Sequence, residues 1–249
     1  MDTMLPETRT TTARRILPLI DLTLLGDDDT TADVEALCDA ATTPYGSVAA
    51  VCVWPSFIHV AAKRLEGSGL GIAGVANFPE GLDDASRARR DAAVILEAGG
   101  DEIDVVFPWR SLQDGARGNG EALVRSVRDI IPDDLILKVI LETGELETPE
   151  LIAQAARESI DGGADFLKTS TGKTARSATP SAARQLFEIV AAESARVGVK
   201  ISGGVRTVDQ AGVYLDLADE ILGESWATSE TLRIGASSLL AAVTTELGG

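Results

Sequence analysis

Eight short apolar, β-branched runs alternate with eight longer amphipathic ones, and this rhythm restricts the possible fold more than any other feature of the sequence. The apolar runs are ILPLIDL (16–22), SVAAVCV (47–53), GLGIAGVA (69–76), DEIDVVF (101–107), LILKVILE (135–142), ADFLKTS (164–170), VGVKISG (197–203) and TLRIGAS (231–237). Near-continuous apolar runs suit strands that are covered on both faces, as in a parallel sheet. Helical patterns fall near residues 30–42, 56–66, 82–98, 119–131, 148–162, 180–196, 207–221 and 237–247. Thr148 before Pro149 and Thr179 before Pro180 read as N-caps with proline at the first helical position, and Gly99-Gly100 and Gly162-Gly163 mark helix exits. The alternation predicts an α/β fold of the TIM (β/α)8 barrel type, with a doubly wound open sheet as the competitor.

A length of 249 residues fits one such barrel, with residues 15–249 as a single domain and residues 1–14 as a mobile tail. The net charge of −17 argues against nucleic acid or an anionic membrane as partner, because nothing offsets the long-range repulsion. No stretch stays apolar for the roughly 18 residues a membrane span needs. Cys38 and Cys52 match neither a disulfide framework nor a CxxC pair, which fits a reducing, cytoplasmic setting. The one histidine, His59, sits on what reads as an outer helix face and cannot supply a histidine-rich zinc site. Neither a metal nor a cofactor is expected.

Charged residues inside the strands carry the chemical signal. Asp104 in EIDVVF, Lys138 in LKVILE, Lys168 in FLKTS and Lys200 in VKISGG each have apolar neighbours. Side chains alternate along a strand, so the apolar residues can pack on helices while these four point into the barrel. Three cations and one anion would then share a small volume, with Asp21 and Glu142 available to balance them. A buried ion-pair network that fixes register is the structural alternative. The excess of lysines favours chemistry, because an amine with an ammonium neighbour and little water has its pKa lowered and becomes nucleophilic. Lys168 is the best candidate for attack on a carbonyl to give a Schiff base.

Two glycine-containing loops, SGGVRT (202–207) and GASS (235–238), follow the last two strands, where barrels often bind phosphate. The segment TSTGK (169–173) adds hydroxyls beside Lys168 without spelling a Walker A loop.

From about residue 15 onward, LIDLT, EIDVVFP, LKVILETGEL, DFLKTSTGK, ATP, VKISGGVRT and GASSLL occur in the order and spacing of deoxyribose-phosphate aldolase, and the chain resembles that class I aldolase family. The resemblance implies a TIM barrel that reversibly cleaves 2-deoxy-D-ribose 5-phosphate into D-glyceraldehyde 3-phosphate and acetaldehyde without a metal. It implies Lys168 as the Schiff-base residue, with Lys200 and Asp104 as the proton-relay pair. Gly172, Gly203, Gly204, Val205, Arg206, Gly235, Ser237 and Ser238 fall on the family's phosphate-binding segments. Lys138 and Asp21 are expected to position and balance the relay, and Cys52 either lines the aldehyde pocket or is a small buried residue. Such enzymes are commonly homo-oligomers, dimers or tetramers, with small phosphosugar and aldehyde substrates as their partners.

Trp54 stands at a position that varies in the family and can alter pocket shape. Some members carry a C-terminal tail whose tyrosine reaches the active site, whereas this sequence ends TTELGG. Three rivals remain at this point: another Schiff-base barrel, a phosphosugar isomerase and a barrel that binds phosphate ligands without turnover.

Overall fold

The computed structural model describes residues 6–193 and 196–248. Eight parallel strands close into a barrel: β1 (Ile20–Leu24), β2 (Ala50–Val53), β3 (Gly71–Ala76), β4 (Glu102–Val106), β5 (Ile136–Ile140), β6 (Phe166–Lys168), β7 (Gly198–Ser202) and β8 (Leu232–Ala236). Each pairs with the next, and β8 returns to β1 with Gly235 opposite Asp21. The barrel expectation therefore holds and the open sheet is excluded.

The helices are α1 (Pro6–Ile16), α2 (Thr31–Ala40), α3 (Ile58–Arg64), α4 (Ala85–Glu97), α5 (Trp109–Gln113), α6 (Asn119–Arg128), α7 (Pro149–Asp161), α8 (Pro180–Ala192), α9 (Val208–Leu222) and α10 (Leu239–Gly248). The caps read from the sequence form: Thr148 accepts from the Leu151 N–H at 3.3 Å, and Thr179 from the Ala182 N–H at 3.2 Å. Thr30 and Thr207 add reciprocal capping boxes with Asp33 and Gln210.

The expected tail needs correction. Residues 6–16 are helical, Ala13 and Ile16 are fully buried, and Arg15 grips Asp219 of α9 with bonds of 2.7 and 2.8 Å. Residues 1–5 of that tail lie outside the described residues, as do residues 194 and 195 of the helical pattern 180–196. The first strand begins at Ile20 rather than at residue 16, because Leu17–Leu19 form a 3-10 turn around Pro18.

Strand register decides what faces the interior. Neighbours opposed across parallel strands point to the same side, so the pairings Asp104 with Lys138, Lys168 with Lys200 and Lys200 with Arg233 put charged groups together inside. Below them Phe166 fills the interior, with the Arg233 guanidinium 5.6 Å from its ring centre. Gly198 makes room for that ring: a Cβ there would lie 2.4 Å from Phe166 and 2.7 Å from the Thr231 carbonyl oxygen.

Candidate active site

Apolar residues on the outward faces of the strands pack under the helices, which leaves the inward positions for a cage of buried charges. Asp104 is its hub. One carboxylate oxygen, Oδ2, accepts from Lys168 Nζ at 2.7 Å and from Lys200 Nζ at 2.6 Å, while Oδ1 accepts from Lys138 Nζ at 2.9 Å. Asp21 Oδ2 lies 2.6 Å from Lys200 Nζ, and Asp21 Oδ1 accepts from Arg233 Nη1 at 2.7 Å. Glu102 accepts from Lys138 Nζ on one oxygen and from Arg233 Nη2 on the other, the latter at 3.0 Å.

Three lysines and one arginine thus meet three carboxylates, Asp21, Glu102 and Asp104. If every group were ionised, one positive charge would remain in a space closed to water, a costly arrangement. Lys168 is the least supported cation: it touches a single carboxylate oxygen and shares that one with Lys200. Lys200 reaches two carboxylates and Lys138 three, the most distant being Asp21 at 3.9 Å.

The titration directions follow this pairing. Burial, reinforced by Lys200, holds the Lys168 amine below the ordinary lysine range despite the opposing pull of Asp104. Burial also acts to lower Lys200, but Asp104 and Asp21 outweigh it and raise the group. Lys138 is likewise raised by Asp104 and Glu102 against its burial. Asp104 lies well below the carboxylate range because the three lysines overcome desolvation. The result is a Lys168 amine whose hold on its proton is weakened, 2.7 Å from a carboxylate that also contacts Lys200.

Of the residues predicted to share this volume, Asp104, Lys138, Lys168, Lys200 and Asp21 do so. Glu142 does not: it takes a backbone φ of +57° and accepts from the Thr171 N–H at 3.3 Å, from the Thr171 hydroxyl, and from the Thr174 hydroxyl at 3.3 Å. It secures the loop after Lys168 instead of balancing the lysines. Glu102, which was not singled out from the sequence, takes that part, and Arg233, likewise not singled out, adds a fourth cation. Period-2 spacing would have found both, since Glu102 lies two residues before Asp104 and Arg233 two before Gly235. Cys52 is fully buried on an inward position; burial raises its thiol pKa while Lys200 and Lys168 act against that. His59 is exposed on α3.

All eight residues expected on phosphate-binding segments, Gly172, Gly203, Gly204, Val205, Arg206, Gly235, Ser237 and Ser238, line one cavity of about 390 Å³ together with Thr23 and Ala236. Gly172, Gly203 and Gly204 have φ of +77°, +89° and +83°, where a side chain would strain the backbone. Ser237 and Ser238 lead directly into α10, so N–H groups at a helix start border the same space. Gly235 joins cavity to cage: a Cβ there would stand 2.5 Å from Ser202 Oγ and 3.2 Å from Lys200 Cε.

Trp54 is tied down near the barrel mouth. Its indole N–H donates to the Gly26 carbonyl at 2.9 Å, its ring meets Phe78 edge-on at 5.5 Å, and Lys173 Nζ lies 5.7 Å from its ring centre while also reaching Asp27 at 3.3 Å. Among the described residues no three His, Cys, Asp or Glu side chains are grouped so that they could hold a metal ion. No helix among them is long and apolar enough to cross a membrane.

A closed β/α barrel with buried lysines at its centre places the chain among the TIM-barrel proteins, and its family within them is that of an aldolase. The sequence profile of the DeoC/LacD family aldolases matches residues 15–244, and the chain belongs to that family. Among solved structures it is similar to a Toxoplasma gondii ME49 protein provisionally assigned as a deoxyribose-phosphate aldolase, with a TM-score of 0.88 and 27% identity over 97% of this chain and 98% of that one. It is also similar to a protein from Coccidioides immitis with the same provisional assignment, with a TM-score of 0.80 and 26% identity over 98% and 99% of the two chains. The tetrameric deoxyribose phosphate aldolase of Aeropyrum pernix matches with a TM-score of 0.76 and 27% identity over 95% of this chain and 91% of that one.

Proposed function

We propose that this aldolase reversibly cleaves 2-deoxy-D-ribose 5-phosphate to D-glyceraldehyde 3-phosphate and acetaldehyde through a Schiff base on Lys168. The observation that carries the reading is the pairing pattern, which leaves Lys168 the one amine of the cage without a carboxylate of its own, in a cage that Gly235 joins to a glycine-lined cavity of about 390 Å³.

In the cleavage direction the free amine of Lys168 adds to the aldehyde carbon of the open-chain sugar, and the carbinolamine loses water to give an iminium. A base removes the proton of the C3 hydroxyl, the C2–C3 bond breaks, and its electron pair moves into the enamine while glyceraldehyde 3-phosphate leaves. Protonation of the enamine at C2 and addition of water then release acetaldehyde and the free amine. Asp104 and Lys200 supply and accept these protons, because one Asp104 oxygen contacts both amines and lets a proton pass between them with little movement. Gly172, Gly203, Gly204 and the start of α10 are suited to receive the phosphate through backbone N–H groups, with Val205, Arg206, Ser237 and Ser238 around them. Trp54 stands near the mouth, and Cys52 is a small, fully buried residue on an inward position. The tetramer seen in the Aeropyrum pernix protein supports extending the reading to a homo-oligomer.

A coupled assay that follows glyceraldehyde 3-phosphate from 2-deoxy-D-ribose 5-phosphate, with and without chelator, tests the reading. Equal turnover in both arms is expected, and no turnover of this sugar in either would reject the substrate assignment. Gly235→Ala should lower kcat/KM for the same sugar by about 100-fold, because displacing Lys200 or Ser202 by even an ångström disturbs reacting groups. Unchanged steady-state constants would contradict the close contact between cavity and cage.

A further inference from the structure

We propose that Arg233, buried one layer beneath the cavity, is a positioning residue whose permanent charge makes Lys168 the amine that must stay unprotonated. The inference rests on the Schiff-base reading and adds a cause for it.

Asp21 is divided between Arg233 on Oδ1, at 2.7 Å, and Lys200 on Oδ2, at 2.6 Å. Glu102 is divided between Arg233, at 3.0 Å, and Lys138. With both carboxylates partly committed to the guanidinium, Asp104 is the one carboxylate left to Lys168, at 2.7 Å, and it also contacts Lys138 at 2.9 Å and Lys200 at 2.6 Å. Without Arg233, three lysines would face three carboxylates and each ammonium would have a partner. An arginine does not give up its proton in a protein, so the surplus must be discharged by a lysine. Lys138 and Lys200 are each held by a second carboxylate, and the proton therefore leaves Lys168.

The other groups facing Lys168 do not alter this count. The neighbouring strand β5 offers Lys138, β7 offers Lys200, and β4 offers Asp104 and Glu102. Across the barrel β1 brings Asp21, β2 brings the neutral Cys52, and β3, with sequence GIAGVA, brings no charge. Arg233 itself lies two residues before Gly235 on β8, beneath the part of that strand that lines the cavity. It acts through the carboxylates and touches no reacting atom.

The test is the pH dependence of the borohydride-trapped acetaldehyde adduct in wild type, Arg233→Gln and Glu102→Gln, with circular dichroism to confirm folding. Arg233→Gln removes the surplus cation, so the acid limb of adduct formation should move up by about one pH unit or more, with roughly tenfold less adduct at pH 7 and recovery at higher pH. Glu102→Gln removes an anion instead and should move the limb down. A merely structural role would not shift the limb in opposite directions. A folded Arg233→Gln protein with an unmoved limb would overturn the proposal, and so would an unmoved or upward limb in Glu102→Gln should the arginine variant fail to fold. An adduct missing from wild type at every pH would strike the Schiff-base reading itself, a result distinguishable from either.

Discussion

Lys168→Ala is expected to abolish aldol cleavage, lowering kcat by about 10⁴-fold or more, while the protein still folds. The size of the loss follows from the covalent role, since no other lysine of the cage has its proton affinity lowered. Retention of the fold follows from the charge count. Removing the surplus amine leaves Lys138, Lys200 and Arg233 against Asp21, Glu102 and Asp104, a balanced set in which every cation keeps a carboxylate. Deleting a paired buried charge would by contrast cost about 3–5 kcal/mol. Steady-state kinetics and thermal unfolding check both halves. Activity within tenfold of wild type would remove Lys168 from the chemistry.

Lys200→Met should act through the same balance with a different signature. Without Lys200, Asp104 Oδ2 is left to Lys168 alone, and three cations again face three carboxylates. A positive neighbour disfavours protonation of Lys168, so its removal raises the Lys168 pKa. The free amine then appears only at higher pH, and the acid limb of kcat/KM moves upward. At pH 7 the loss of both free amine and proton relay should cost about 10² to 10⁴-fold, with partial recovery on the alkaline side. A pH profile that keeps its limb and falls uniformly would mean that Lys200 serves the relay and does not set the Lys168 proton.

Much of this architecture is legible in the sequence because parallel strands walled on both faces must be apolar almost throughout. All eight runs became strands, and a charged residue inside such a run stands out. What stayed hidden depended on distant partners. Helix α1 reads as polar, PETRTTTARRI, and becomes a helix packed on α9 and α10 with Arg15 bound to Asp219, 204 positions away. Glu102 and Arg233 look like polar strand edges until barrel closure brings their side chains to Lys138 and Asp21. Glu142 looks like another cage anion, yet a positive φ turns its carboxylate to Thr171 and Thr174. The eight cavity residues were reached through resemblance to a family; local patterns gave only two glycine-containing loops at the place where barrels often bind phosphate.

The most direct measurement is reduction with sodium borohydride in the presence of acetaldehyde, followed by peptide mass mapping. A single ethyl group on the peptide carrying Lys168, absent from Lys168→Ala, is the expected result. No adduct under any pH, or a label confined to Lys138 or Lys200, would contradict the assignment of Lys168 as the free amine of the cage.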